Sequence, residues 1–242
     1  MSYAIDVRNL TKKIKNNAIV DHINIRVQRG KIYGFLGPNG SGKTTTMRML
    51  CGLLSSDDGE GHCLGFDFKK ESDKIKSQVG YMTQKFSFWE DLTIRENLEF
   101  TVKMFQKDNI EKRVRKSLEK AGLTSRAEQL AGTLSGGWKQ RLALTACLIH
   151  EPKLLLLDEP TAGVDPKARK AFWEDIRNFA DSGFTVLVST HYTDEAERCD
   201  KIIYIAYGSI MAEGTVSEIM CGFSSMEDSF IYYTDNSLRN KL

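Results

Sequence analysis

No part of this sequence is apolar for long enough to cross a bilayer. Runs such as LLLL at 154–157 fall far short of the ~18 residues that a spanning helix needs. The N-terminus, MSYAIDVRNL, lacks the pattern of a secretory signal. The chain is therefore expected neither to be secreted nor to span a membrane by itself. An excess of charge of one sign is also missing, since 34 Lys and Arg face 32 Asp and Glu. No overall field argues for nucleic acid or an anionic membrane, and such a partner would have to be met locally. Five cysteines, Cys51, Cys63, Cys147, Cys199 and Cys221, are an odd number without a CxxC spacing, which points to buried thiols in a reducing cytosol. His22, His62, His150 and His191 make no close pair, so a histidine metal site is not expected. Internal repeats, low-complexity tracts and long linkers are absent too.

What is present is ordinary globular composition, 41% hydrophobic over 242 residues, enough for one large domain or two small ones. Alternation and apolar runs predict strands near 3–9, 19–27, 32–36, 153–158, 184–190 and 200–206. Helical periodicity marks 43–52, 93–105, 109–121, 136–149 and 166–181. The order is β-rich, then mostly helical from about 85 to 150, then alternating β and α. This reads as an α/β fold over 1–221 with a helical subdomain, approximately 85–150, inserted in the core. Residues 222–242 read as a polar, weakly patterned C-terminal tail, packed over a short stretch and loose at its end.

Two motifs carry phosphate chemistry. GPNGSGKTT at 37–45 follows the apolar IYGFL and opens a helix, the context that the G-x-x-x-x-G-K-[ST] pattern requires. Its glycines, Gly37, Gly40 and Gly42, let successive backbone N–H groups face a polyphosphate at a helix N-terminus. Lys43 is expected to reach the β and γ phosphates and Thr44 to ligate Mg²⁺. KLLLLDEP at 153–160 is a strand apolar enough to be buried on both faces, ending in two carboxylates that such a strand has no structural use for. Ligands of open parallel sheets gather at strand carboxyl ends, so the pair is expected beside the phosphates. Asp158 is the candidate Mg²⁺ ligand and Glu159 the candidate to polarise the attacking water. A third motif, LSGGWKQR at 134–141, opens an amphipathic helix on Ser-Gly-Gly. Ser135 is a good N-cap, which suits plain helix initiation. Gly136 and Gly137 weaken a helix and bare its backbone donors, which suits an anion site. Residue physics alone leaves the two readings balanced.

Taken with Gln84 in GYMTQ, TAGVDP after the paired carboxylates, and His191 in VSTHY, these motifs stand in one order. The chain resembles the nucleotide-binding subunit of an ABC transporter over nearly its whole length. The resemblance implies a P-loop ATPase core with an N-terminal antiparallel β-subdomain, using ATP and Mg²⁺. It implies nucleotide contacts from Gly37, Pro38, Asn39, Gly40, Ser41, Gly42, Lys43, Thr44 and Thr45. It also implies a head-to-tail dimer, homomeric or heteromeric, in which Ser135, Gly136 and Gly137 meet the γ-phosphate held by the other subunit. Gln84 would then sense Mg²⁺ and water, and Asp165 would run along the dimer interface. His191 would contact the γ-phosphate and help hold Glu159's water, placing it with Lys43, Gln84 and Glu159 in the catalytic group. Two positions depart from the family pattern. Trp138 stands where many members carry Gln, past the phosphate-facing turn. Ile14 aligns with an aromatic that stacks on adenine, a role that an aromatic such as Tyr3 would otherwise have to fill.

In KFSFWEDLTIRENLEF, Phe86, Phe88 and Trp89 either fold back onto the core or stand on a surface loop. In ABC exporters the corresponding region receives the membrane subunit. TAGVDPKARKAFWE and SSMEDSFI resemble ABC-2-type exporters of drugs and cell-surface polymers, whose permease is a separate chain. That implies a cytoplasmic ATPase, peripheral on the inner membrane's cytoplasmic face, and no nucleic-acid partner. The alternative is a soluble ABC ATPase acting on DNA or ribosomes, against which stand the near-neutral charge and the lack of heptads or a second cassette. A non-hydrolysing regulatory cassette is disfavoured because Lys43, Asp158, Glu159 and His191 are all present.

Overall fold

The computed structural model describes residues 2–239. The chain opens with β1 (Tyr3–Ile14) and β2 (Asn17–Gln28), an antiparallel pair. They are joined at Lys15 and Asn16, whose φ angles of 47° and 68° are the two positive values a tight hairpin turn needs. Then come β3 (Ile32–Leu36), α1 (Lys43–Leu50), β4 (Asp58–Cys63), β5 (Phe66–Asp67), α2 (Ser72–Lys76) and β6 (Val79–Met82). A helical block follows with α3 (Ile94–Met104), α4 (Ile110–Lys120) and α5 (Gly136–Leu148). The chain returns through β7 (Leu154–Asp158), α6 (Pro166–Asp181), β8 (Thr185–Thr190), α7 (Thr193–Ala196), β9 (Lys201–Ala206) and β10 (Ser209–Gly214). It closes with α8 (Val216–Ile219) and α9 (Met226–Arg239).

Two sheets result. The smaller is antiparallel, in the order β2-β1-β4-β5. The larger runs β10-β9-β3-β8-β7-β6 and is parallel except for β10 at its edge. All residues of β3, β7 and β8 are buried, as expected of strands covered on both faces. One core lies between the two sheets and α1, gathering Ile5, Val7, Ile25, Phe35, Met47 and Leu156. A second lies on the other face against α6, around Trp173, Ile176, Leu155 and Val188.

The structure departs from the sequence reading at α5, in four strands, in the tail and in the short helices α2, α7 and α8, which the periodicity does not mark. The helix α5, expected to be amphipathic, is buried on two sides: Ala143 and Leu144 join the sheet core, while Leu142 and Ala146 join the core of the helical block with Leu98 and Leu118. It is the shared wall that fixes the block to the sheet, so apolar residues ring it. The strands β4, β5, β6 and β10 were not read as strands. DGEGHC carries two glycines, and Gly61 is required because a Cβ there would lie 2.2 Å from Asp6 O. The tail, read as weakly patterned and packed over a short stretch, is helical over Met226–Arg239. Phe230 of α9 stacks on Tyr204 at 4.5 Å, and Met226 is buried beside Ile219 and Ile202. Its apolar partners lie on β9 and α8, so its pattern has no meaning until those elements are in place.

Candidate functional site

The register of the parallel sheet builds the site. Leu36 pairs with Thr190 and Asp158 with Ser189, while Met82 pairs with Leu157. The carboxyl ends of four neighbouring strands therefore stop at one level, and the residues that follow them, from Gly37, Thr83, Glu159 and His191, emerge together. The loop after β3 turns back over this edge into α1. At Gly42, φ is +105° and a Cβ would lie 2.6 Å from Ile19 O, so both the conformation and the close approach demand glycine. One pocket is lined by Asn39, Gly40, Gly42, Lys43, Thr44, Thr45, Gln84 and Glu159, together with Ile19.

Within that pocket the charges are held in place by neutral groups. Lys43 is almost fully buried, and its Nζ donates to Gly37 O at 2.7 Å and Pro38 O at 3.0 Å. Its pKa lies below the ordinary value because burial penalises the ammonium, an effect that Glu159 and Asp158 oppose. Glu159 Oε1 lies 3.6 Å from Lys43 Nζ. Its other oxygen, Oε2, accepts from Gln84 Nε2 at 3.0 Å and lies 3.3 Å from His191 Nδ1. Asp158 accepts from Ser189 Oγ at 2.7 Å, from Thr44 Oγ1 at 3.1 Å and from Tyr81 OH at 3.3 Å. Burial and the Asp158 charge raise the Tyr81 pKa, so its phenol stays a donor. The Ser41 hydroxyl is buried without a hydrogen-bond partner among the described residues. A buried polar atom of that kind calls for a ligand.

The sequence reading missed several contributors. Ser189 both donates to Asp158 and accepts from the Glu159 backbone N–H at 2.9 Å. Tyr81 sits on a short strand interrupted by Gly80, and Ile19 carried no polar signal. Tyr3, the alternative aromatic for a base site, pairs with Gln28 at the opposite end of β1 from Ile14 and lies under Arg26. It is therefore not near the loop, whereas Ile14 is half exposed at the hairpin tip. Phe86 and Phe88 pack on the helical block, but Trp89 remains 44% exposed against Phe100.

Ser135, Gly137 and Asp165 line a different cleft, together with Trp138, Gln140 and Lys167. Ser135 occupies the N-cap position of α5 but makes no side-chain cap bond, so plain helix initiation does not account for its hydroxyl. Asp165 does cap α6, accepting from Lys167 N at 3.1 Å and Ala168 N at 3.0 Å. Gly137 is needed where α5 meets α6, since a Cβ would lie 2.9 Å from Ala168 Cβ; around Gly136 nothing lies within 4 Å. Trp138 borders the cleft with Arg126 and Arg141 against its ring.

The ABC transporter family profile matches residues 20–162. Over 219 residues the chain is 44% identical to a probable multidrug ABC transporter ATP-binding protein, YbhF, of Escherichia coli, covering 89% of this chain and 38% of that protein. The chain thus spans less than two-fifths of that relative's length. It is 38% identical over 218 residues to the linearmycin resistance ATP-binding protein LnrL of Bacillus subtilis, covering 89% of this chain and 70% of that one. Among solved structures, a dimeric ATP-binding cassette in a post-hydrolysis state, bound to ADP and Pi, superposes with a TM-score of 0.79 at 26% identity, covering 88% of this chain and 98% of that chain.

Proposed function

The chain belongs to the ABC transporter family, and from that premise we propose that it is the ATP-hydrolysing subunit of an exporter whose permease is a separate chain. The observation that carries the proposal is the division of the nucleotide machinery into two clefts. The phosphate-loop pocket holds Lys43, Thr44, Gln84 and Glu159, whereas Ser135, Gly137 and Asp165 line another. One subunit does not bring the two halves onto one nucleotide. A head-to-tail pair would, and the open surroundings of Gly136 leave room for a partner's phosphate.

In this reading the backbone N–H groups of Gly40, Gly42, Lys43, Thr44 and Thr45 and the Lys43 ammonium hold the triphosphate; the Ser41 N–H is already given to Pro38 O. Pro38 and Asn39 shape the loop, and the free Ser41 hydroxyl is an added donor. Thr44 and Asp158 would hold Mg²⁺, with Gln84 beside them. Among the described residues no three His, Cys, Asp or Glu side chains cluster, so a cation here must complete its shell with phosphate oxygens and water, as Mg²⁺ characteristically does. Bound Mg²⁺ would neutralise phosphate charge. Glu159 accepts a proton as a water oxygen bonds the γ-phosphorus; the bond from that phosphorus to the bridging oxygen breaks, and ADP leaves with the electron pair. His191 and Gln84 aim the carboxylate. The signature residues Ser135, Gly136 and Gly137 close the site from the partner, with Asp165 at the seam.

Export is supported by the two relatives named for multidrug transport and linearmycin resistance. Among the described residues no helix is long and apolar enough to cross a membrane; the proposal assigns the transport path to the permease. The subunit would dock on the cytoplasmic face of the inner membrane. The proposal is tested by ATP turnover of the full chain against its own concentration. A rate rising faster than linearly, reaching proportionality once dimers saturate, supports a shared site; strict proportionality down to the lowest concentrations contradicts it.

A further inference from the structure

Glu195 touches none of the pocket residues and yet is fully buried, on the four-residue helix α7. A carboxylate taken out of water must be paired or hydrogen-bonded, and both of its oxygens are occupied. Thr161 Oγ1 donates to Oε1 at 2.5 Å, and Thr190 Oγ1 donates to Oε2 at 2.6 Å. Arg169 Nε lies 3.9 Å from Oε1, and Arg169 also bonds Asp194 and covers the Tyr192 ring. An apolar side chain would fill such a place with less desolvation cost. Stability alone therefore does not account for a carboxylate here.

The two threonines explain it. Thr161 lies two residues beyond Glu159, in a turn where Ala162 N donates to Glu159 O at 3.2 Å. Glu159 itself has a positive φ of 46°, a conformation that a non-glycine residue keeps only when its surroundings hold it. Thr190 immediately precedes His191, and its hydroxyl accepts from Tyr192 N at 3.0 Å. Glu195 thus ties the peptide that aims Glu159 to the peptide that aims His191. The tie also reaches α6, because Arg169 lies one turn from Asp165, with Arg169 N donating to Asp165 O at 2.9 Å.

We infer that Glu195 is a positioning residue for ATP hydrolysis, holding Glu159 and His191 in mutual register through Thr161 and Thr190 without touching the nucleotide. The inference rests on the ATPase reading above. Glu195→Gln can still bond both threonines, because its carbonyl accepts from Thr190 while its amide donates to Thr161. The fold survives, with Arg169 still paired to Asp194, but the amide in place of Oε1 offers Arg169 no charge and the tie changes its geometry.

The decisive comparison is at Thr161. Thr161→Val keeps the shape and removes the hydroxyl, whereas Thr161→Ser keeps the hydroxyl and removes the methyl group. ATP turnover, nucleotide Kd and melting temperature are measured for the full-length wild type, these two variants and Glu195→Gln. Displacing a reacting group by the order of 1 Å costs up to about 10²-fold, so kcat should fall about 10- to 100-fold in Thr161→Val and about 10-fold in Glu195→Gln. Nucleotide Kd should stay within about 2-fold, the signature of an interaction that acts on the transition state. Thr161→Ser should retain at least half of the wild-type kcat. A wild type that hydrolyses no ATP overturns the ATPase reading and this inference with it. If the wild type turns over ATP, the inference alone fails on either of two results: Thr161→Val keeps its kcat, or Thr161→Ser loses as much as Thr161→Val.

Discussion

Gln84 Nε2 donates to Glu159 Oε2 at 3.0 Å, across 75 residues of sequence. The same oxygen faces His191 Nδ1, so the loop after β6 and the end of β8 both aim one carboxylate. The opposite oxygen faces Lys43 Nζ at 3.6 Å. Glu159→Gln keeps the shape and the bond to Gln84 but removes the charge. ATP hydrolysis should fall by more than ~100-fold, since a positioned general base contributes 10² to 10⁴. Nucleotide binding should hold or tighten, because Lys43 no longer shares its charge with a carboxylate. Sizing in the presence of ATP should show an accumulated dimer. Near-normal steady-state hydrolysis by the variant would assign the base elsewhere.

Ile14 stands half exposed at the tip of the β1–β2 hairpin, and Tyr3 is too far along the strand to replace an aromatic there. An aliphatic residue covers one face of a purine but lacks the flat π-surface that adds ~0.5 to 1.5 kcal/mol to aromatic stacking. Ile14→Tyr should therefore tighten ATP binding about 2- to 10-fold and leave the maximal rate unchanged, as uniform binding does. The wild type should discriminate poorly between ATP and GTP. Titration of both nucleotides checks this; strong wild-type selectivity for ATP, or no gain in Ile14→Tyr, contradicts it.

The aromatic loop after Gln84 divides into two kinds of residue. Phe88 packs on both the sheet core and the helical-block core, so Phe88→Ala should cost roughly 2 kcal/mol of stability, less than a fully buried phenylalanine. Trp89 is held at the surface by Asn97, which both donates to Trp89 O and accepts from Trp89 N at 3.0 Å, and its ring lies 4.9 Å from that of Phe100. Trp89→Ala should leave the melting temperature and basal ATPase of the isolated chain unchanged while weakening permease binding by ~2 kcal/mol, as a central aromatic anchor does. Melting curves of the isolated variants and co-purification with the permease separate the two cases. A destabilised Trp89→Ala that still binds permease would make Trp89 a core residue.

What could be read in advance follows from how local the cause is. GPNGSGKTT and LLLLDEP announce themselves because phosphate wrapping and strand-end carboxylates constrain adjacent residues, and α6 is legible at its start because Asp165 caps it and Pro166 opens it. Ser189, Tyr81 and Glu195 are silent in sequence. A serine or tyrosine in a strand and a glutamate in EAER look like ordinary packing or surface residues, and only the register of β7 between β6 and β8 and the burial of α7 give them partners. The same holds for α5, whose apolar ring makes sense once two cores press on it.

The central claim is that Ser135 of one chain serves the nucleotide held by Lys43 of another. The direct test mixes a Lys43→Ala chain with a Ser135→Arg chain, each inactive alone. If the site is composite, heterodimers place both lesions in one site and leave the other intact, so the mixture should recover up to about half of the wild-type activity per heterodimer. ATP-dependent dimerisation should return with it. If Ser135 and Lys43 act on the same subunit's nucleotide, every site in the mixture is damaged and no activity returns, which would contradict the account.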